Sequence, residues 1–518
     1  MKKSCGILLA CLSFFLISCR ISRDFTIHSD GTIMSFAGQF SQDVDIEVVI
    51  PGRIGIRTVT AIGERAFHLR GITKVIIPDS VTYIGSGAFN NNRLENLVLP
   101  HGIVSIGVSA FSMNQLTSVS IPDSVTSIDR SAFSTNLLTS IYIPDSVDFI
   151  GSYAFSFNQL SSINLPSSIT SISFGMFHAN QLTSVTIPEN IISIGDDSFR
   201  NNQLSSIIIP DNVVFIGNNA FRNNQLTSIN IPDSVTSIGN SVFHTNQLSS
   251  INIPDSITSI GSNAFRNNQL SSINIPDSVT SIGSNAFSDN QLVNLVIGNG
   301  ITTINGDEFD NNRLTNVIFG NGITSIGRRA FWNNQLVTIA IPDSVTHIGE
   351  GAFMNNQLTS VVLPNTITHI SAGIFRNNQP ENITIPDSVV HIGTEAFDNN
   401  QLTSVVIPYN VISIGHWAFM DNKLTSISIF YGVTSIGVNA FRNNQLTNVI
   451  IPESVTSIGN AAFSGNQIQR ITIGGDVQLS SYGDWEVPSF DNGFDEFYNS
   501  NGRNAGTYIF TNGQWNML

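Results

Sequence analysis

Leu248-Ser-Ser-Ile-Asn-Ile-Pro-Asp-Ser-Ile-Thr-Ser-Ile-Gly-Ser-Asn-Ala-Phe-Arg-Asn-Asn-Gln269 is one complete turn of a 22-residue phrase that starts again at Leu270. The phrase fills residues 61–473. Its phenylalanine, Phe265 in this copy, marks the beat. From Phe67 to Phe463, 19 phenylalanines stand at unbroken 22-residue intervals, with no insertion or deletion between them. A fixed period of about 20 to 50 residues is the signature of a solenoid, whose units bury their apolar edges only against their neighbours.

With Leu248 as position 1, positions 1, 4, 6, 10, 13 and 18 are nearly always Leu, Ile, Val or Phe, whereas positions 2, 3, 5, 11 and 12 are usually Ser, Thr or Asn. Positions 4 to 6 therefore alternate in, out, in, which is the period of a short strand. Ile229-Asn230-Ile231 and Ile251-Asn252-Ile253 are two such strands, expected to stack in parallel at about 4.8 Å per coil. The second half of the coil folds back beneath the strand and covers its inner face. Pro at position 7 ends the strand for want of a donor. Gly at position 14 suits a positive φ, which Asp129 and Asn305 in the same column would tolerate. Position 21 is Asn in all 18 coils from Asn92 to Asn466; its amide is expected to bond to its stacked copies and to the turn backbone.

The pattern L-x-x-I-x-I-P-x-x-V-x-x-I-G-x-x-A-F, seen in Leu226 to Phe243, resembles the BspA-like class of leucine-rich repeats of bacterial and protist cell surfaces. Where that family often carries Cys after Ala-Phe, this chain has Asn-Asn. The resemblance implies a surface protein that adheres to host matrix proteins or to other bacteria. The expected fold is a repeat solenoid of 22-residue coils with a parallel β-sheet, mainly strand and turn, with few or no long helices.

Outside the repeat, residues 1–18 read as a lipoprotein signal peptide. Lys2 and Lys3 precede an apolar run, and Leu16-Ile17-Ser18-Cys19 has the form of the lipoprotein cleavage box; a plain signal peptide that happens to contain Cys is the alternative. Cys19 would be the acylated first residue of a mature chain, a firm anchor to the bacterial envelope and most simply to the exposed face of the outer membrane. The three cysteines are Cys5, Cys11 and Cys19, so the repeat can form no internal disulfide. Residues 19–60 form an N-terminal anchor and cap, with a hairpin expected around the turn between Phe25-Thr-Ile27 and Gly31-Thr-Ile33. Val48-Val-Ile-Pro51 already has the form of a repeat strand. Residues 474–518 leave the pattern and form an aromatic cap or a small β module, with Asn512-Gly513 as a hairpin turn.

The chain is poor in charge, at 11%, and acidic, with a net charge of −15. That balance excludes a nucleic-acid partner, which calls for a basic face. The repeat holds no Cys, no Gly-rich phosphate loop and no nucleophile elbow, and serine columns made of turn residues supply no base held by a third group. The reading is of a protein that is not an enzyme, needs no cofactor and acts as a monomer.

Candidate binding residues are those where outward columns depart from the consensus. At position 5 the run Asn230, Asn252, Asn274 gives way to Val296, Ile318, Ala340 and Val362, either ordinary cross-strand packing or an apolar contact strip. At position 19 His178, Arg200, Arg222, His244 and Arg266 form a basic edge that suits an acidic partner or a sulfated glycan. Asp211, Asp233, Asp255 and Asp277 repeat at position 8, with calcium as a minor option. Tyr409 and Tyr431 share the same column, with Trp417 between them in sequence and Phe430 in place of proline, an aromatic group of the kind enriched at binding hot spots. His347, His369 and His391 at position 12 are weak metal candidates. The favoured function is adhesion through the sheet to host or bacterial surface proteins. A carbohydrate-binding or nutrient-capture protein, and a structural or antigenic surface layer without a specific ligand, remain the alternatives.

Overall fold

The computed structural model describes residues 17–19, 24–37, 45–479 and 487–518, with the backbone alone for 17–19. The chain forms two compact units that divide after Ser234. Each is a stack of coils, and successive coils place two short strands in register with their counterparts 22 residues away. In the first unit Asn96–Val98 pairs in parallel with Ser118–Ser120, Leu97 opposite Val119. In the second, Ser272–Ile275 pairs with Asn294–Ile297, and its side chains alternate outward and inward as positions 3 to 6 require. Residues 229–231 and 251–253 keep the inward final isoleucine but lie outside any assigned strand.

The second strand of each coil is only two residues long, at positions 12 and 13, yet it builds the more continuous sheets. In the first unit, five such pairs from Ala61–Ile62 to Phe149–Ile150 join the N-terminal hairpin in one seven-stranded sheet. In the second, a six-stranded sheet runs from His369–Ile370 to Gln478–Leu479. Both kinds of strand turn apolar side chains inward, Ile273 and Ile275 from the first and Ile282 from the second, so each sheet has the buried face that parallel strands need.

Between the sheets lies a ladder of phenylalanine rings. Phe67 and Phe89 stack at 4.9 Å and 8°, and Phe133 and Phe155 at 5.8 Å and 2°. In the second unit Phe243, Phe265 and Phe287 stack at 5.5 and 5.3 Å. Every ring from Phe67 to Phe463 at this position is fully buried. Full burial of a phenylalanine contributes about 1.5–3 kcal/mol over exposure.

The asparagine ladder lies beside the rings. Asn268 Nδ2 donates to the carbonyl of Phe243, one coil back, at 2.9 Å and to that of Phe265 at 3.0 Å, while its Oδ1 accepts Leu248 N at 3.0 Å. These amides bond to backbone and not to their stacked copies. Copy-to-copy bonding occurs one residue earlier: Asn223 Nδ2 donates to Asn201 Oδ1 at 2.8 Å, and Asn399 Nδ2 to Asn377 Oδ1 at 2.9 Å.

The expectation of positive φ at position 14 is overturned. Left-handed residues fall instead at position 16, as at Tyr153 and Trp417, and at position 20, as at Asn201 and Asn223. Glycine is needed at position 14 because the coils touch there: a Cβ on Gly85 would lie 2.8 Å from the Ile62 carbonyl oxygen, and one on Gly151 would lie 2.4 Å from Arg130 N. Where this glycine is replaced, Ser173 and Asn305 donate to the carbonyls of Ile150 and Ile282 one coil back, turning a close approach into a hydrogen bond.

Both ends are closed. Phe25–Ile27 and Thr32–Phe36 form the expected antiparallel hairpin, and Thr32–Ile33 pairs in parallel with Ala61–Ile62. The rings of Phe25, Phe36 and Phe67 pack together, 5.2 Å between the first two and 5.3 Å between the last two. Ile46–Val49 pairs with Lys74–Ile76 and is therefore already a rung of the first-strand sheet. At the C-terminal end Phe490 stacks on Phe463 at 4.8 Å. A short helix, Phe494–Ser500, follows, then a hairpin of Gly506–Thr511 and Gln514–Met517 turning at Asn512-Gly513, whose first strand adds antiparallel to Arg470–Ile473. Phe494, Tyr498, Tyr508 and Trp515 are buried. The aromatics of this tail therefore close the stack and leave little ring surface for a ligand. Asp484 and Trp485 lie outside the described residues. Among the described residues, no helix is long and apolar enough to cross a membrane.

Candidate binding surfaces

Positions 3 and 5 of each coil point away from the core, so the first-strand sheets present a face whose chemistry is set by those two columns. In the second unit, Val296 lies opposite Ile318 and Ala340 opposite Val362 in parallel pairing. Ile318 is 53% exposed and Val362 74%. These branched apolar side chains stand out in water where the coils before them carry asparagine at the same position. Beside them, Gly298 and Gly320 stand where other coils have proline, and the backbone steps close enough that a Cβ on Gly320 would meet the Gly298 carbonyl oxygen at 2.4 Å. The result is a shallow groove of about 650 Å³ floored by Val296 and Ile318, with Asp277, Asn299 and Asn321 along one side.

The position-8 carboxylates have a structural use. Asp145 Oδ1 accepts Ser167 N at 2.8 Å, and Asp277 Oδ1 accepts Asn299 N at 2.7 Å, so each holds the turn of the next coil. Among the described residues, no group of three or more His, Cys, Asp or Glu could hold a metal ion. His347, His369 and His391 follow one another at position 12 and belong to no such group. The rings of His369 and His391 stand 5.2 Å apart, but His391 Nδ1 is engaged with Ser413 Oγ and His369 Nδ1 with Thr368 Oγ1.

The basic edge is largely neutralised in the second unit. Arg266 pairs with Asp289 at 2.9 Å, and Arg376 with Glu395 and Asp398 at 2.6 and 2.9 Å. In the first unit Arg200 pairs with Asp197 at 3.1 Å. Burial, and next the charge of Arg200, lowers the pKa of both Arg222 and His178.

The aromatic group divides. Tyr409 and Phe430 stack at 4.2 Å and 10°, and Tyr431 stands exposed beside them at 70%. Trp417 does not join them. It occupies position 16, at the other end of the coil, and packs near His416, with ring centroids 5.7 Å apart. Sequence distance misled here because eight residues along a coil reach its opposite edge.

Three features were missed from sequence. Ile76 and Val98, at position 5 of the first unit, are 44% and 79% exposed; only the contrast with the Asn run had drawn attention to this column further on. Arg329 lies over the Trp332 ring at 5.5 Å, a cation–π pair. Glu308 stands in the alanine column and is fully buried, and burial pushes its carboxyl up to about 8 against the two hydrogen bonds it accepts from Asn305.

The model of the BspA type leucine-rich repeat region, which describes six copies, matches residues 60–183, 170–294, 280–402 and 370–483. The chain belongs to the BspA-type leucine-rich repeat family. No curated protein matches the sequence. Among solved structures, the chain is similar to YopM from Yersinia enterocolitica, at 16% identity over 79% of this chain and 86% of that one, with a TM-score of 0.44. A leucine-rich repeat protein from Bacteroides ovatus shares 21% identity over 87% and 84% of the two chains, with a TM-score of 0.35. A leucine rich cell surface protein from Faecalibacterium prausnitzii shares 23% over 87% and 93%, with a TM-score of 0.28. BspA-type repeats are surface-repeat scaffolds suited to binding, built by stacking units around a continuous core.

Proposed function

We propose that this BspA-type repeat protein is an adhesion protein of the bacterial cell surface, anchored by acylation of Cys19, that binds host matrix proteins or other cells through the outer face of its first-strand sheet. The observation that carries the reading is the position-5 run Val296, Ile318, Ala340 and Val362, in which Val296 pairs with Ile318 and Ala340 with Val362, and Ile318 and Val362 stand more than half exposed. Interfaces of this kind draw their affinity from a few apolar anchors surrounded by weaker polar contacts. The test is capture of immobilised matrix proteins and of neighbouring bacteria by the full chain, against an Ile318→Asn/Val362→Asn variant of unchanged melting temperature. Loss of capture in the variant supports the reading, and equal capture or no capture by either protein overturns it.

A second reading, glycan capture, is favoured by one observation. The stacked rings of Tyr409 and Phe430 with exposed Tyr431 offer a flat aromatic platform. Glycan-array binding that is abolished by Tyr409→Ala/Tyr431→Ala, without capture of proteins, selects it.

A further inference from the structure

The largest departure from a polar sheet face in the first unit lies at its N-terminal end. Val49, Ile76 and Val98 occupy position 5 of three successive coils, with Val49 opposite Ile76 in the parallel pairing of Ile46–Val49 and Lys74–Ile76. Ile76 and Val98 form the floor of a cleft of about 670 Å³. Its rim is acidic. Asp45, Glu47 and Glu95 stand on one side, where the strands enter, and Asp79 on the other, where they leave, with His101 one coil further on that side. Lys74 pairs with Glu47 at 3.1 Å. Among the described residues, Asp45, Asp79 and Glu95 form no ion pair, so three uncompensated carboxylates surround an exposed aliphatic floor.

We propose that this cleft docks a cationic protein segment, one in which lysine or arginine flanks a branched aliphatic side chain. The aliphatic side chain covers Ile76 and Val98, and the flanking cations meet the carboxylates of Asp79 and Glu95 on either side. Exposed charge pairs add little affinity singly, but a rim of one sign steers a partner of the opposite sign and rejects others. A second copy of this chain is disfavoured as occupant, because the net charge is −15 and like-charged molecules repel. An anionic bilayer is repelled by the same carboxylates. The inference deepens the reading of the sheet face as the binding face, but it concerns a different unit from the strip at Val296 to Val362.

The experiment is fluorescence anisotropy of the full chain with a labelled peptide Lys-Ile-Lys-Val-Lys. Two controls are Glu-Ile-Glu-Val-Glu, which removes the cations, and Lys-Ser-Lys-Ser-Lys, which removes the aliphatic side chains. The first peptide is expected to bind, more weakly as salt rises, and at least tenfold more tightly than either control. Asp79→Lys/Glu95→Lys and Ile76→Asn/Val98→Asn are each expected to weaken it at least tenfold with unchanged melting temperature, since all four side chains are on the surface. Capture through the strip at Ile318 and Val362 should be the same in these variants, which separates failure of this inference from failure of the adhesion reading. The proposal is overturned by any of four results: no binding to the unaltered chain, equal binding by the Asp79→Lys/Glu95→Lys variant, equal binding of either control peptide, or self-association of the chain that the same variants abolish.

Discussion

Asn114 clamps the carbonyl of Phe89, one coil back, to its own coil: its Nδ2 donates to Phe89 O at 3.0 Å and to Phe111 O at 3.1 Å, and its Oδ1 accepts Leu94 N at 3.1 Å. The two carbonyls have second donors, because Asn92 also bonds Phe89 O and Asn136 also bonds Phe111 O. Leu94 N is therefore the group that depends on Asn114. Replacing Asn114→Leu should cost about 1–3 kcal/mol, the penalty for a buried unpaired donor. Asn114→Asp keeps the acceptor for Leu94 but sets a carboxylate against two carbonyl oxygens, so it should be the worse of the two at neutral pH and recover on acidification. Urea unfolding at pH 7 and pH 4 checks the order; equal stability of the two variants at pH 7 would count against the clamp.

Phe265→Ala removes a ring stacked on both sides, at 5.5 Å from Phe243 and 5.3 Å from Phe287. The expected loss is about 3–5 kcal/mol. Because a coil touches only its neighbours, the loss should open the coils around residue 265 while the capped C-terminal coils keep their protection. Hydrogen exchange resolves this by segment, and a uniform loss over the second unit would contradict it.

The repeat carried most of the fold in plain view because an invariant period leaves only one way to stack: inward columns, the phenylalanine beat and the closing hairpin at Asn512-Gly513 all follow from residue type and spacing. What it concealed was set by contact between coils. Gly85 and its equivalents are demanded by the backbone of the coil before, a distance that no single coil reveals. The left-handed turns at positions 16 and 20 hid because residues as different as Tyr153 and Glu395 at the first, and Phe157 and Thr245 at the second, take them alongside the asparagines and glycines that favour that region. The surfaces were less legible still. Arg266 is a free cation in sequence and a neutralised one in the fold, since its partner Asp289 lies 23 residues on, in the next coil. Ile76 and Val98 read as ordinary strand residues until exposure and the acidic rim around them could be seen together.

The anchor is tested at Cys19. The backbone of Ile17–Cys19 pairs with Ile46–Val48, while the Cys19 side chain and the stretch before Ile17 lie outside the described residues. The Leu16 to Cys19 box leads us to expect that Cys19→Ala abolishes acylation, so that the chain is either released or retained as an uncleaved precursor. Detergent-phase partition and the mass of the mature chain report on this directly; an Ala variant with unaltered partition and mass rules out the lipid anchor.

Glu308 gives the second unit a pH dependence of definite sign. Its Oε1 accepts Asn305 N at 2.8 Å and Asn305 Nδ2 at 2.9 Å, but full burial dominates and pushes the carboxyl from 4.5 up to about 8. The folded protein therefore holds a proton that the unfolded chain gives up above pH 4.5. The contribution of this group to stability is fully present below that value and is lost as pH rises towards 8, by at most about 1.4 kcal/mol per pH unit. Asp310 and Asp398, each raised by burial to about 6, act in the same direction between their ordinary value of 3.8 and that pH. Comparison of the wild type with Glu308→Gln isolates the one group, since the amide oxygen still accepts from Asn305 and carries no charge at any pH. The variant should match the wild type near pH 4.5 and exceed it by an amount on the order of a few kcal/mol at pH 8. Melting curves at the two pH values measure the difference, and hydrogen exchange at pH 8 should place the gain in the coils around residues 300–330. Parallel pH profiles for the two proteins would show that Glu308 binds its proton no more tightly in the fold than in the unfolded chain.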